Sequence, residues 1–140
     1  MKGEPRTLLH DAGVRPSAQR VAVADYVLRT DAHPSADEVW AQVRSRFPMI
    51  SRATVYNTLH LFVKKGLLRS FELGGGRVIF DPHVEDHHHF IDENDGRIYD
   101  ISWAALSVSR IDELEDFSVR EYQVVLRGRR LSTEDKEKEP

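Results

Sequence analysis

Ser51-Arg52-Ala53-Thr54-Val55-Tyr56-Asn57-Thr58-Leu59-His60-Leu61-Phe62-Val63-Lys64-Lys65-Gly66 is the stretch from which the fold is read. A serine hydroxyl accepts from one of the first unbonded N–H groups of a helix, and a glycine ends a helix in a left-handed turn, so Ser51 and Gly66 bracket a helix from Arg52 to about Lys65. Val55, Leu59 and Phe62 recur at intervals of three and four and form its inner stripe. Arg52, Thr54, Tyr56 and Asn57 are left near the N-terminal end, mostly free of the core. They offer a cation, an aromatic ring and an amide to base edges in a major groove.

Upstream, His33-Pro34-Ser35-Ala36-Asp37-Glu38 opens another helix, with Ser35 and Glu38 at capping-box spacing. It is expected to bury Val39, Trp40, Val43 and Phe47 and to stop at Pro48. Arg15-Pro16-Ser17 opens a third helix, capped by Ser17, whose apolar side is Val21, Ala24, Tyr26, Val27 and Leu28. Before it, Thr7 to Ala12 makes a helical turn or two ended by Gly13. Downstream, Leu67 to Leu73, Gly74-Gly75-Gly76 and Arg77 to Phe80 read as a hairpin with a glycine tip. Three helices and a hairpin make a winged helix-turn-helix over residues 1–80. The bland alternative is a small helical domain with no nucleic-acid role. Charge weighs against it: residues 1–71 hold 11 Lys+Arg against 6 Asp+Glu, net +5, whereas residues 72–140 are net −8. A basic first half suits a polyanion.

The next stretch, Asp81-Pro82-His83-Val84-Glu85-Asp86-His87-His88-His89-Phe90, holds four of the chain's seven histidines, and Asp100 follows ten residues later. On a strand, His87 and His89 share one face and His88 takes the other. A two-residue loop at Asn94-Asp95 or Asp95-Gly96 returns Asp100 to the face of His87 and His89, whereas a three-residue loop turns it away. Imidazoles and carboxylates without thiolate suit Mn²⁺, Fe²⁺ or Zn²⁺. The alternative is a polar hairpin whose histidines run together by accident. His88 is expected to be solvated, with a second cation shared with His83, Glu85 or Asp86 as the other option; Asp86 is a candidate for orienting an imidazole.

Residues 81–86 read as a hinge and 87–130 as a small α/β domain. It comprises strands near His87 to Asp92 and Arg97 to Ile101, an amphipathic helix from Ala104 to about Glu115 and a strand from Phe117 to Leu126. So small a unit buries little core by itself, which predicts a homodimer through this part. The tail, 131–140, is charged and expected to be disordered. The 140 residues contain no Cys, so neither a disulfide nor a cysteine zinc site is available. No stretch is apolar enough to span a membrane and no signal core is present, which gives a cytoplasmic expectation.

Several of these pieces together resemble the ferric uptake regulator superfamily. They are Ala12-Gly13-Val14-Arg15-Pro16-Ser17 with Arg20, His33-Pro34-Ser35-Ala36-Asp37, Ser51 to Leu59, Asp81, and His87-His88-His89 with Asp100. The resemblance runs from about residue 7 to residue 127. It implies an α+β dimeric transcription regulator, in which a winged helix joins a dimerisation domain with a regulatory metal at the junction. Carried over by position, the ligands are His33, Asp81, His87, His89 and Asp100. The ion implied is Fe²⁺ or Mn²⁺, with Zn²⁺ able to occupy the site in vitro. Aspartate at both carboxylate positions, and Tyr56-Asn57, resemble the peroxide-sensing branch, where His33 or His87 would be oxidised.

On the DNA side, Tyr56 is assigned to a thymine methyl and Arg52 and Asn57 to bases or phosphates, with Thr54 beside them. Arg15 is assigned to a phosphate or the minor groove, and Arg20 to a phosphate. Where the family commonly has two zinc-binding cysteines, this chain has Asp92 and Asp95, so no four-cysteine structural zinc is expected. A haem- or iron-responsive regulator of the same superfamily is the alternative. A small metal-dependent hydrolase using His87, His89 and Asp100 is a more distant one, since five protein ligands leave little room for a catalytic water.

Overall fold

Pro5 at the first helical position starts α1 (Pro5–Asp11), the first element in the computed structural model, which describes residues 3–138. Gly13, at φ 77°, ends it: the N–H groups of Gly13 and Val14 donate back to the carbonyls of His10 and Leu9 at 3.0 and 2.8 Å. Ser17 then caps α2 (Ala18–Val27) by accepting from the Arg20 N–H. Ser35 and Glu38 close a reciprocal capping box on α3 (Ala36–Arg44). Ser51 caps α4 (Arg52–Lys64) by accepting from the Thr54 N–H.

Gly66, at φ 78°, ends α4 as Gly13 ends α1, with its N–H donating to Val63 and that of Leu67 to Phe62. The expected end of α3 at Pro48 is too late. The Ser45 hydroxyl donates to the Gln42 carbonyl and competes with the helix, and the residue before a proline is pushed out of the α region. Phe47 therefore packs against the core from outside the helix.

Two compact units make up the chain, Met1–Val84 and Glu85–Pro140. In the first, the inner stripe of α4 (Val55, Leu59 and Phe62, each 0% exposed) packs with Leu9, Val23, Val27 and Val39 into the core. Fully burying a side chain of this kind contributes about 1.5–3 kcal/mol. β1 (Arg69–Glu72) and β2 (Val78–Asp81) pair antiparallel, Arg69 opposite Asp81, to make the wing. The unit is a winged helix-turn-helix, as the caps and stops predict.

In the second unit, β3 (His87–Asp92) lies between antiparallel β4 (Ile98–Ser102) and parallel β5 (Val125–Gly128). His89 stands opposite Asp100 and Ile91 opposite Ile98. The Asp92 N–H donates to the Arg97 carbonyl, so the turn is the four residues Glu93 to Gly96 rather than two. An even count preserves the expected facing of Asp100. Asp92 and Asp95 shape the turn, their carboxylates accepting from the N–H groups of Asn94 and Arg97 at 2.9 and 2.8 Å.

Three expectations fail in this unit. The segment from Ala104 to Glu115 is not an α-helix but two 3₁₀ turns, Trp103–Ala105 and Ile111–Glu113. Ser107-Val108-Ser109 supplies weak helix formers at its centre, and Arg110 takes a left-handed φ of 70°. The strand expected from Phe117 forms only at Val125. The tail is not irregular throughout: α5 (Thr133–Lys138) forms behind Ser132, whose hydroxyl accepts from the Asp135 N–H while the Asp135 carboxylate accepts from the Ser132 N–H. Residues 139 and 140 lie outside the described residues. Arg129 and Ser132 hold the Asp135 carboxyl well below the usual carboxylate range. Among the described apolar residues of this unit only Ile98 is buried, whereas Phe117 is 71% exposed.

Candidate metal centre and nucleic-acid surface

His33 sits at φ 53°, a left-handed conformation uncommon for any residue but glycine, though histidine is among the types that tolerate it. The following residue fixes that bend: the Pro34 carbonyl accepts from the Phe80 N–H at 2.9 Å, which ties the loop to β2 one residue before its last member, Asp81. In consequence the His33 Nε2 lies 3.3 Å from an Asp81 carboxylate oxygen, both residues buried. The other Asp81 oxygen accepts from the His83 N–H at 2.9 Å. A left-handed backbone at a buried imidazole beside a carboxylate makes His33 and Asp81 candidates for a functional role.

In the second unit, His87 and His89 project from the same face of β3, their rings 4.7 Å apart. Their Nε2 atoms lie 3.4 and 3.7 Å from the same Asp100 oxygen. The His87 Nδ1 lies 2.7 Å from the Glu85 carbonyl and the His89 Nδ1 3.0 Å from the Gln123 side-chain oxygen. Those oxygens can only accept, so each Nδ1 donates to its partner and each Nε2 is the ring nitrogen turned toward Asp100. Fixing the ring of a ligand in this way is what metal-binding histidines require. The residues therefore fit a divalent ion of the kind bound by nitrogen and carboxylate oxygen.

His88 corrects an expectation. It is 1% exposed, not solvated; its ring stacks on Trp103 at 4.6 Å, and its Nδ1 accepts from the Val124 N–H at 3.0 Å. Burial first, then the imidazoles of His87 and His89, lower its pKa. With Nδ1 committed to the backbone, His88 braces the sheet and does not suit a second cation. Asp86 is exposed, and its negative charge opposes the lowering at His88. Glu85 and Gln123 are partners of His87 and His89 that the sequence reading does not name. Gln123 lies 34 residues from His89, and only the parallel docking of β5 beside β3 makes it a neighbour.

The six candidate DNA residues line two adjoining grooves on the first unit. Arg15, Arg20, Thr54 and Asn57 border one of about 380 Å³, with Ser17, Gln19, Thr58 and Leu61. Arg52, Tyr56 and again Asn57 border one of about 290 Å³, with Ala36, Asp37, Trp40 and Ala53. The Arg20 guanidinium donates to the Arg15 backbone carbonyl at 3.1 Å, which ties the Arg20 cation to the loop that precedes α2. Tyr56 is 54% exposed and meets His60 edge-on at 4.4 Å.

The model of the ferric uptake regulator family matches residues 11–127, which takes in both units. The chain belongs to the ferric uptake regulator family. Among its relatives, the peroxide operon regulator of Bacillus subtilis (strain 168) is 37% identical over 110 residues, covering 79% of this chain and 72% of the relative. The peroxide-responsive repressor PerR of Staphylococcus aureus (strain USA300) is 33% identical over 130 residues, covering 91% and 88%. The solved ferric uptake regulator from Francisella tularensis with iron shares the fold, with a TM-score of 0.68 at 20% identity over 89% of this chain and 96% of that one. As a member of this family the chain is a regulator, not an enzyme, which removes the hydrolase alternative.

Proposed function

We propose that this chain is a metal-dependent DNA-binding transcriptional repressor that responds to peroxide. The ion is Fe²⁺ or Mn²⁺, held by His33, Asp81, His87, His89 and Asp100. The observation that carries this reading is the orientation of His87 and His89, whose Nδ1 atoms are engaged by Glu85 and Gln123 while both Nε2 atoms converge on one oxygen of Asp100. Relatives named for peroxide response, at 33–37% identity, support the signal. When bound, Fe²⁺ would supply the positive charge that the five ligands share and the electron that a peroxide takes up.

His33 and Asp81 belong to the DNA-binding unit and the other three ligands to the second. An ion that only the DNA-competent form can bind with all five ligands would supply the differential affinity a population shift needs. The test loads the protein with Fe²⁺, adds mild peroxide and weighs the tryptic peptides containing His33 and His87. One added oxygen on either, with DNA released, is expected; unmodified histidines with DNA still bound contradict the peroxide signal.

On the DNA side, Tyr56 takes a thymine methyl, Arg52 and Asn57 take bases or phosphates, Thr54 lies beside them, and Arg15 and Arg20 serve the backbone. Half or more of protein–DNA hydrogen bonds go to the backbone, so Arg15 is assigned to a phosphate. Replacing Arg15 by alanine is expected to weaken binding to all sequences alike and to lower the salt slope by about one. An unchanged slope removes Arg15 from the interface. The exposed Leu114, Phe117 and Val119, on a unit with so little buried apolar surface, support pairing with a second copy through residues 87–130.

A further inference from the structure

Trp40 packs against the core and borders the second groove, and three further contacts converge on it. Its Nε1–H donates to the Ile50 carbonyl at 3.0 Å, which holds the residue that immediately precedes the Ser51 cap of α4. The Arg52 guanidinium lies over its ring, 4.5 Å from the centre, and the Arg44 guanidinium lies 4.2 Å from it. The ring also lines the groove shared with Ala36, Ala53, Tyr56 and Asn57.

We propose that Trp40 is a positioning residue for sequence readout: its ring fixes the Arg52 guanidinium in a plane suited to a base edge, and Arg44 adds a backbone-binding cation beside it. The proposal rests on the DNA-binding reading above and deepens it.

The physical basis is the entropy of a long side chain. Arg52 is exposed, and its ion pair with Asp37, 3.9 Å away, is too exposed to hold it still. A guanidinium stacked on an indole keeps its N–H edge free while losing freedom before DNA arrives. Bidentate pairing with a guanine needs that flat, fixed presentation, whereas a phosphate accepts a mobile cation equally well. Trp40 should therefore affect discrimination between sequences more than total affinity.

The groove adds a hydrophobic element. Two alanine methyls and two aromatic rings line a space of about 290 Å³ next to the edge of Arg52. A thymine methyl fits that lining, and a cytosine, without one, would leave it unfilled. Arg52 and the groove together predict a guanine next to a thymine in the bound sequence.

The test uses the full-length, metal-loaded protein and duplexes selected by it from a randomised pool, compared with scrambled duplexes. Trp40→Phe and Trp40→Leu both lose the bond to Ile50, but only phenylalanine keeps a ring under Arg52. Trp40→Leu is expected to lower the ratio of selected to scrambled affinity about tenfold, the range of one good base contact, with scrambled affinity unchanged. Trp40→Phe should retain most of the ratio. Arg52→Ala combined with Trp40→Leu should cost no more than Arg52→Ala alone, since the ring acts through the guanidinium. Arg44→Ala should weaken selected and scrambled duplexes alike.

Equal losses in Trp40→Phe and Trp40→Leu, or additive losses in the double variant, overturn the proposal while leaving the DNA-binding reading in place. A wild-type protein that selects no duplex at any metal concentration overturns both.

Discussion

Replacing His33 by alanine is expected to abolish the stimulation of DNA binding by metal while leaving the protein folded and paired. Coupling between two sites is typically worth a factor of roughly 5–150 in affinity, and in this variant that factor should fall to about one. His33 is singled out because it is the buried imidazole that the DNA-binding unit offers beside Asp81, and because the chain tolerates a left-handed backbone there to keep it in place. Alanine is disfavoured at that φ, so a second variant separates strain from ligation. His33→Asn accepts the left-handed region but offers no imidazole, and it should behave as alanine does in the metal titration. Metal-dependent binding retained by His33→Asn would remove His33 from the ligand set.

Phe62→Ala should produce a loss of a different kind. Phe62 is 0% exposed at the centre of the first unit's core and lies in the last turn of α4, where its carbonyl also accepts from Leu67. Truncating a buried phenylalanine costs about 3–5 kcal/mol, which is a large share of the roughly 5–15 kcal/mol that holds a domain folded. The prediction is a lowered denaturant midpoint and loss of DNA binding with or without metal, because the helix bearing Tyr56 and Asn57 loses its anchor. A loss of stability below about 1 kcal/mol, taken from the midpoint and slope of the denaturant transition, would contradict the packing described for this core. The two variants are distinguished by basal affinity, which His33→Asn keeps and Phe62→Ala loses.

The first unit is legible in the sequence because its signals are local. Ser17, Ser35 and Ser51 each cap the helix they precede, and Gly13 and Gly66 supply the left-handed turns that end α1 and α4. The facing of His87, His89 and Asp100 is equally legible, since a period of two and the parity of one turn decide it. What the sequence conceals is non-local. His88 is buried by Trp103 and Tyr122, residues 15 and 34 positions away, and no pattern around His88 announces them. Ala104 to Glu115 carries apolar residues at helical spacing, but spacing does not overcome weak helix formers without a face to pack on. Gln123 becomes a partner of His89 only through the parallel placement of β5. Trp40 was read as core; its second task shows only once Arg44 and Arg52 are seen over its ring.

The central proposal is that one divalent ion, held by His33, Asp81, His87, His89 and Asp100, sets the affinity for DNA. It is tested most directly by anomalous scattering from crystals of the manganese-loaded protein. The account predicts a single strong peak within bonding distance of a His33 ring nitrogen, the Nε2 atoms of His87 and His89, and oxygens of Asp81 and Asp100. A peak bound by His87, His89 and Asp100 alone, with His33 and Asp81 remote from it, would contradict the account.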